Sequence, residues 1–255
     1  MGAPILNLSN KSDTTVGLLE NITVYTITWN EVDILQDFVD WYRSRFPDCK
    51  IVVYDNMSDD GTVELARQNN CEVIQFTTNG KMDEKTLIEI RNNCWKVCTT
   101  NWCVVVDADE LVGVTPEILE HAGTTSIYRC EGYEMFGTSE DTIETLVNGL
   151  PSEGYCKPVV FKPWVFQDIN FGPGSHSCNP VPKEGNWLLW DTTKSMKLYH
   201  TKWRSWEHGI RRAHMIANRV SEDSRAKGWN FHYALDDSIH LDYYSNGIKN
   251  SYKVR

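Results

Sequence analysis

Asp107-Ala-Asp109-Glu110 follows directly on the apolar run Trp102-Cys-Val-Val-Val106. Two carboxylates one residue apart at the end of a buried strand suit oxygen ligation of a hard divalent cation that also holds phosphate oxygens. The third acid strengthens that reading, because acids packed together repel unless a cation or a proton intervenes. A solvated strand end is the rival reading. Two further polar runs stand earlier in the chain: Thr26-Ile-Thr-Trp-Asn30-Glu31 and Asp55-Asn-Met-Ser58-Asp-Asp60-Gly61. Asp59 and Asp60 read as helix caps. For Asp55 and Glu31, capping or turn formation competes evenly with ligand binding.

For these runs to act together, the strands before them must end along one edge. Ile22–Thr28, Lys50–Tyr54, Cys71–Phe76 and Trp102–Val106 read as strands from their β-branched and apolar content. Between them, Asp33–Phe46 carries a 3.6-period apolar stripe, a short helix ends at Gln68, and Glu84–Cys98 repeats the helical period. Strand four is apolar throughout, as a strand covered on both faces must be. Repeated β-α-β units predict an α/β fold with a doubly wound, mostly parallel sheet and right-handed crossovers. Ligands in such sheets sit outside the carboxyl ends of the strands. The back half reads as short strands at Ser126–Cys130, Tyr155–Phe161 and Met196–Tyr199, separated by Gly/Pro/Asn loops. A helix from about Ser205 to Ala226 follows, with Trp206, Ile210, Ala213, Ala217 and Val220 on its stripe and Arg211, Arg212 and Arg219 off it. No linker separates the halves. The expected organisation is a loosely ordered lead-in over 1–20 and a single domain over 21–255, divided into halves at 21–113 and 114–255.

Among the 255 residues, 25 Lys+Arg face 35 Asp+Glu, for a net charge of −10. A pI near 5.2 argues against a general nucleic-acid or anionic-membrane binder, which needs excess positive charge. The charge is uneven: residues 1–150 hold 25 acids and 10 bases, residues 151–255 hold 10 acids and 15 bases. No apolar run approaches the roughly 18 residues of a membrane span, and the polar start is no secretory signal. The eight cysteines form no Cys-x-x-Cys pair and mostly sit in apolar patterns, which reads as free thiols in a reducing, cytoplasmic setting. Absence of G-x-G-x-x-G and of a Walker loop weakens oxidoreductase and P-loop readings. The ending Asn250–Arg255 carries no stop signal, so the chain is open to being part of a larger polypeptide.

Taken in order, Thr26-x-x-x-Asn30-Glu31, Val53-Tyr-Asp55-Asn-x-Ser58-x-Asp60-Gly61-Thr62, Arg91-Asn92 and Val106-Asp107-x-Asp109-Glu110 resemble the family-2-type glycosyltransferases of the GT-A fold. Gly174-Ser-His176 and His200-Thr-Lys202-Trp-Arg204-Ser205 resemble its smaller glycosyltransferase 2-like branch, and the likeness spans about residues 22–233. The resemblance implies a Rossmann-like GT-A sheet with a smaller acceptor-side region. It also implies a metal-dependent transfer of sugar from a nucleoside-diphosphate-sugar donor to a glycan, glycoconjugate or other hydroxyl acceptor. On the donor side it implies Asp55 at the base or ribose, with Thr26, Asn30 and Glu31 nearby and Arg91 on the substrate side. Asp107 would face ribose or metal, Asp109 would ligate Mn²⁺ or Mg²⁺, and His200 would return to the metal or the diphosphate.

For a lone histidine, core or surface packing is the usual alternative to ligation. His176 in its Gly-rich turn is a catalytic or sugar-contacting candidate, or an ordinary loop histidine. For the base that an inverting enzyme needs, Asp141 and Glu134 rank ahead of Glu131, Glu140 and Asp168; a retaining enzyme needs none. Lys202 and Arg204, within a stretch of nine bases and three acids from Lys194 to Lys227, are the candidates to face the diphosphate. Of the ten tryptophans, Trp29 and Trp203 are among those that could stack on sugar, although packing is their commoner role. Two other functions compete. A nucleotidyltransferase acting on sugar phosphates should carry a basic Gly-rich loop after strand one, which Thr28-Trp-Asn-Glu31 lacks. A non-catalytic sugar-binding module should have lost a metal acid, yet Asp107 and Asp109 are both present.

Overall fold

The computed structural model describes residues 21–255, so the expected lead-in over 1–20 lies outside the described residues. The front half alternates β1 (Ile22–Thr28), α1 (Val32–Arg43), β2 (Lys50–Asp55), α2 (Thr62–Gln68), β3 (Glu72–Gln75), α3 (Glu84–Asn93) and β4 (Trp102–Val105). β1 lies between β2 and β4 and is parallel to both, with Thr28 opposite Asp55. Successive residues point to opposite faces, and the core divides accordingly. Val24, Val53, Trp102 and Val104 join the layer that holds α1. Tyr25, Val52, Cys103 and Val105 join a second layer around Trp95 and Phe161. This two-sided burial is why β4 carries no polar alternation.

After β4 the chain turns through Asp107–Asp109 into β5 (Glu110–Val112) and α4 (Pro116–Glu120), then into β6 (Ile127–Tyr128), β7 (Glu131–Phe136), β8 (Asn148–Pro151) and β9 (Val160–Phe161). β9 and β6 extend the first sheet antiparallel, giving the order β3-β2-β1-β4-β9-β6. β10 (Phe166–Asp168) and β11 (Val181–Pro182) form a small ribbon. β12 (Lys197–Trp203) lies in a second sheet of order β13-β8-β7-β12-β5, parallel to β7 and antiparallel to β5, and β13 (Tyr252–Lys253) closes its far edge beside β8. The register sets Glu110, His200 and Glu134 in one row across β5, β12 and β7.

The helices after β12 correct the sequence reading. The helix expected over Ser205–Ala226 is two: α5 (Trp206–Ala217) and α6 (Glu222–Ala226). Between them Val220 runs beside Met82; Met82 donates to the Arg219 carbonyl at 2.7 Å and Ser221 to the Met82 carbonyl at 3.1 Å. Ser221 then caps α6 by accepting from the Ser224 amide. A strand-like contact and a new cap outcompete helix continuation. α7 (Asp237–Asn250) has no counterpart in the sequence reading. It buries only His240 and Gly247, so it offers little apolar period to detect.

Gly209 lets α5 press on β12. A Cβ there would stand 2.1 Å from Trp203 Cε3. Glycine-to-alanine inside a helix ordinarily gains about 1 kcal/mol. Here overpacking against a buried indole should reverse the sign, and Gly209→Ala should cost about 1–3 kcal/mol. Chemical denaturation measures this; a gain in stability would refute the close contact.

Candidate active site

The carboxyl ends of β1 and β2, the turn after β4 and the second sheet enclose a cavity of about 460 Å³. Three of its acids, Asp107, Asp109 and Glu110, lie in the turn from β4 into β5, which the Glu110 amide closes on the Asp107 carbonyl at 3.0 Å. Each acid meets a different base. Arg91 on α3 donates to Asp107 Oδ1 at 2.8 Å and to Glu84 Oε1 at 3.0 Å. Arg212 on α5 donates to Asp109 Oδ2 at 2.9 Å and at the same time holds Glu31. Lys157 pairs with Glu110. His200 stands between two carboxylates, with Nε2 3.3 Å from Asp109 Oδ2 and Nδ1 2.6 Å from Glu134 Oε1, and its ring stacks on Tyr155 at 4.0 Å. The Tyr243 hydroxyl reaches Glu134 Oε2 at 3.5 Å.

Burial disfavours charge on Asp107, Asp109 and His200, where specific partners overcome it, and it prevails at Glu31, raised to about 8 even beside Arg212, and at Glu110, which is also raised. Against that penalty, Arg212 and then His200 hold Asp109 well below the usual carboxylate range. Arg91 likewise leads in lowering Asp107. Burial also opposes the charged form of His200, but Glu134 and Asp109 prevail and raise it to about 9, so the ring is an imidazolium at neutral pH.

As a metal centre this donor set fits in part. Asp107 and Asp109 both line the cavity, and Asp107 Oδ2 and Asp109 Oδ1 accept no hydrogen bond from a described residue. In this fold both nitrogens of His200, which the resemblance places at the metal or the diphosphate, face carboxylates, Nε2 toward Asp109 and Nδ1 toward Glu134. Among the described residues, no group of three or more His, Cys, Asp or Glu side chains is arranged around one ion position. A hard cation here would rest on the two aspartates and take its other oxygens from phosphate and water.

The structure brings Glu31, Arg91, Asp107, Asp109, Glu134, His176, His200 and Lys202 to the one cavity. His176 sits on its wall with Nδ1 2.5 Å from the Gly154 carbonyl. The other sequence candidates lie away from the cavity lining. Thr26 is buried within β1. Asp55 is wholly buried and accepts from the Thr28 hydroxyl at 3.2 Å and the Ser58 amide at 2.9 Å. Asn30, at φ 55°, exchanges two hydrogen bonds with Asp59. Asp141 ties its own loop, accepting from the Thr138 amide at 2.8 Å and the Thr145 hydroxyl at 3.1 Å. Arg204 is spent on Asp37 at 2.6 Å. The Thr26 hydroxyl is buried without a hydrogen-bond partner, and in each of the other four cases a polar partner has claimed the side chain. Conversely, Lys157 and Arg212 were not singled out from the sequence. Lys157 is a lone charge in the run Cys156–Phe161, a signal that burial would demand a counter-ion. Arg212 lies off the apolar stripe of its helix and reads as solvated.

A parallel sheet opening at its carboxyl ends onto an acid-bearing turn, with a second sheet set against it, is the GT-A arrangement. Residues 23–121 match the family described as glycosyl transferase family 2. The chain is thus an enzyme of the glycosyltransferase class. No curated protein gives a significant match. Similar solved structures include S. aureus TarS 1–349, at 16% identity and TM-score 0.41 over 80% of this chain and 68% of that one. In a longer TarS structure the likeness covers only 41% of that chain. Glucosyl-3-phosphoglycerate synthase from Mycobacterium tuberculosis, crystallised with Mn²⁺, UDP and glucosyl-3-phosphoglycerate, is similar at 15% identity and TM-score 0.37, over 65% and 67%. A Pyrobaculum calidifontis mannosyltransferase in complex with GDP-Man and Mn²⁺ is similar at 16% identity and TM-score 0.38, over 78% and 62%.

The imidazolium bridge has a signature in stability. His200 is raised from 6.5 to about 9 on folding. Its contribution is therefore complete below about pH 6.5 and vanishes as pH rises through about 9. In chelator, the stability difference between the native chain and His200→Gln should shrink steadily over that window in urea titrations. A difference independent of pH would show that His200 is neutral in the fold.

Proposed function

We propose that the chain moves a sugar from a nucleoside-diphosphate-sugar donor to a hydroxyl of a glycan or glycoconjugate acceptor, with a divalent cation at Asp107 and Asp109. The observation that carries this is the pair itself: two carboxylates on one cavity wall, each with one oxygen uncommitted, within a family 2 segment. Thr28, Trp29 and Asn56 line the cavity where β1 and β2 end. The Trp29 ring is backed by the Arg219 guanidinium, 3.1 Å from its centroid, and offers an aromatic face to a base. Bound Mn²⁺ or Mg²⁺ would screen the diphosphate and ease its departure.

The chain's own groups do the rest. Arg91 and Arg212 orient the two aspartates from behind. Glu134 is our candidate for the group that takes the acceptor proton. It is 5% exposed, lines the cavity, and is oriented by His200 and Tyr243. Of the base candidates, Glu131, Glu140, Asp141 and Asp168 are not among the lining residues. A base in this role implies direct displacement with inversion at the anomeric carbon. All eight cysteines are unbridged, and among the described residues no helix is long and apolar enough to cross a membrane. The free thiols support a reducing compartment, and we assign the chain to the cytoplasm.

A thermal-shift panel of UDP, GDP, dTDP and CMP with Mn²⁺ tests the donor site. A matching nucleotide at about 100 times its Kd should stabilise by roughly 2.7 kcal/mol, a Tm rise of about 5–10 °C. Asp109→Asn should remove the metal-dependent part; no metal-dependent shift with any nucleotide would sink the metal reading. Glu134→Gln should lower kcat by about 10²-fold or more while leaving the nucleotide shift intact. A variant that keeps full turnover would exclude Glu134 as the base.

A further inference from the structure

Four buried bases of the cavity are committed to carboxylates: Arg91, Lys157, Arg212 and His200. Lys202 is not. It is 5% exposed and lines the cavity, yet its ammonium makes no hydrogen bond or ion pair with a described residue. Its neighbours are the rings of Trp203 and Tyr233, with centroids at 4.7 and 4.5 Å. Burial without a hydrogen-bonded counter-ion is costly for an ammonium. His240 repeats the pattern. It is also 5% exposed and on the cavity wall, and its Nε2 is buried without a partner. Burial, and then the charge on Lys202, works against its protonation.

Buried polar groups are almost always satisfied, so the unpartnered Nε2 of His240, on one wall with an ammonium that has no acceptor among the described residues, points to a missing acceptor. Glu134 does not supply it, because its oxygens serve His200 and Tyr243. His240, Tyr233, Leu235 and Ile239 on this wall come from the segment around α7, whereas Thr28, Trp29 and Asn56 at the donor end come from the first sheet. We propose that Lys202 and His240 form a subsite for an anionic group, a phosphate or a carboxylate, carried by the acceptor. This rests on the nucleotide-sugar transferase reading. The acceptor is then a hydroxyl compound bearing negative charge, since a neutral one leaves Lys202 without a counter-ion.

The test uses the full chain saturated with UDP and Mn²⁺, so that the donor phosphate positions are filled, titrated calorimetrically with inorganic phosphate and with acetate. The expected result is binding of one or both anions to the UDP-loaded chain. Lys202→Met should weaken it at least tenfold while changing UDP affinity less than twofold. His240→Gln should weaken the same binding, and it keeps the test open if Lys202→Met fails to fold. Binding of neither anion overturns the proposal. So does competition between phosphate and UDP together with loss of UDP affinity in Lys202→Met, which would hand Lys202 to the donor diphosphate. If no nucleotide binds, the donor reading fails separately. Lys202-dependent binding of phosphate to the free chain would then still support the anion subsite.

Discussion

Arg212 holds Glu31 and Asp109 together, and the rest of the site depends on that double contact. The two acids stand just beyond the ends of neighbouring strands, β1 and β4, and are 7% and 6% exposed. Left alone they would repel in a medium that screens poorly. A guanidinium satisfies both because its planar fork presents several donors at fixed angles, which a lysine cannot do. To deliver it, α5 must cross the strand ends at close range. Ser205 starts the helix by accepting from the His208 amide, and Gly209 removes the side chain that would hold it off Trp203.

The same logic explains the split of charge along the chain. Bases of the back half are spent on acids of the front half: Arg204 on Asp37, Arg211 and His208 on Asp33, Lys157 on Glu110, and Arg212 on two acids at once. The uneven charge is therefore a seam as well as a lining. The half-exposed pairs add little individually. The buried ones matter more for arrangement than for net stability, since removing one partner strands the other charge.

The alternation of strands and helices was legible because each front-half element carries a strong period, and the wholly apolar β4 announced a central strand. The Asp107–Asp109 turn was legible for the same reason: acids directly after such a strand have few places to go. The second sheet was harder to see. Its members include two-residue strands such as β13, and β12 is buried along nearly its whole length with polar residues that only long-range pairing can satisfy. Asp55 and Asn30 show the opposite limit. A polar residue at a strand end has the same signature whether it faces a ligand or ties a turn, and only the neighbouring Ser58 and Asp59 side chains decide. Arg212 was hidden because its partners lie 181 and 103 residues away.

Those separations set an order of events during synthesis. A ribosome releases β1 through β4, with Glu31 and Asp109 at their ends, long before α5 emerges. The parallel sheet can collapse on its two apolar layers early, but its acidic mouth stays solvated until the later helix arrives. Domains form as units once their parts are available, and here the part that completes the site leaves the tunnel well after the acids it holds. An emerging chain thus carries a formed sheet without a formed mouth, and competence for ligand arrives abruptly with the helix that bears Arg212.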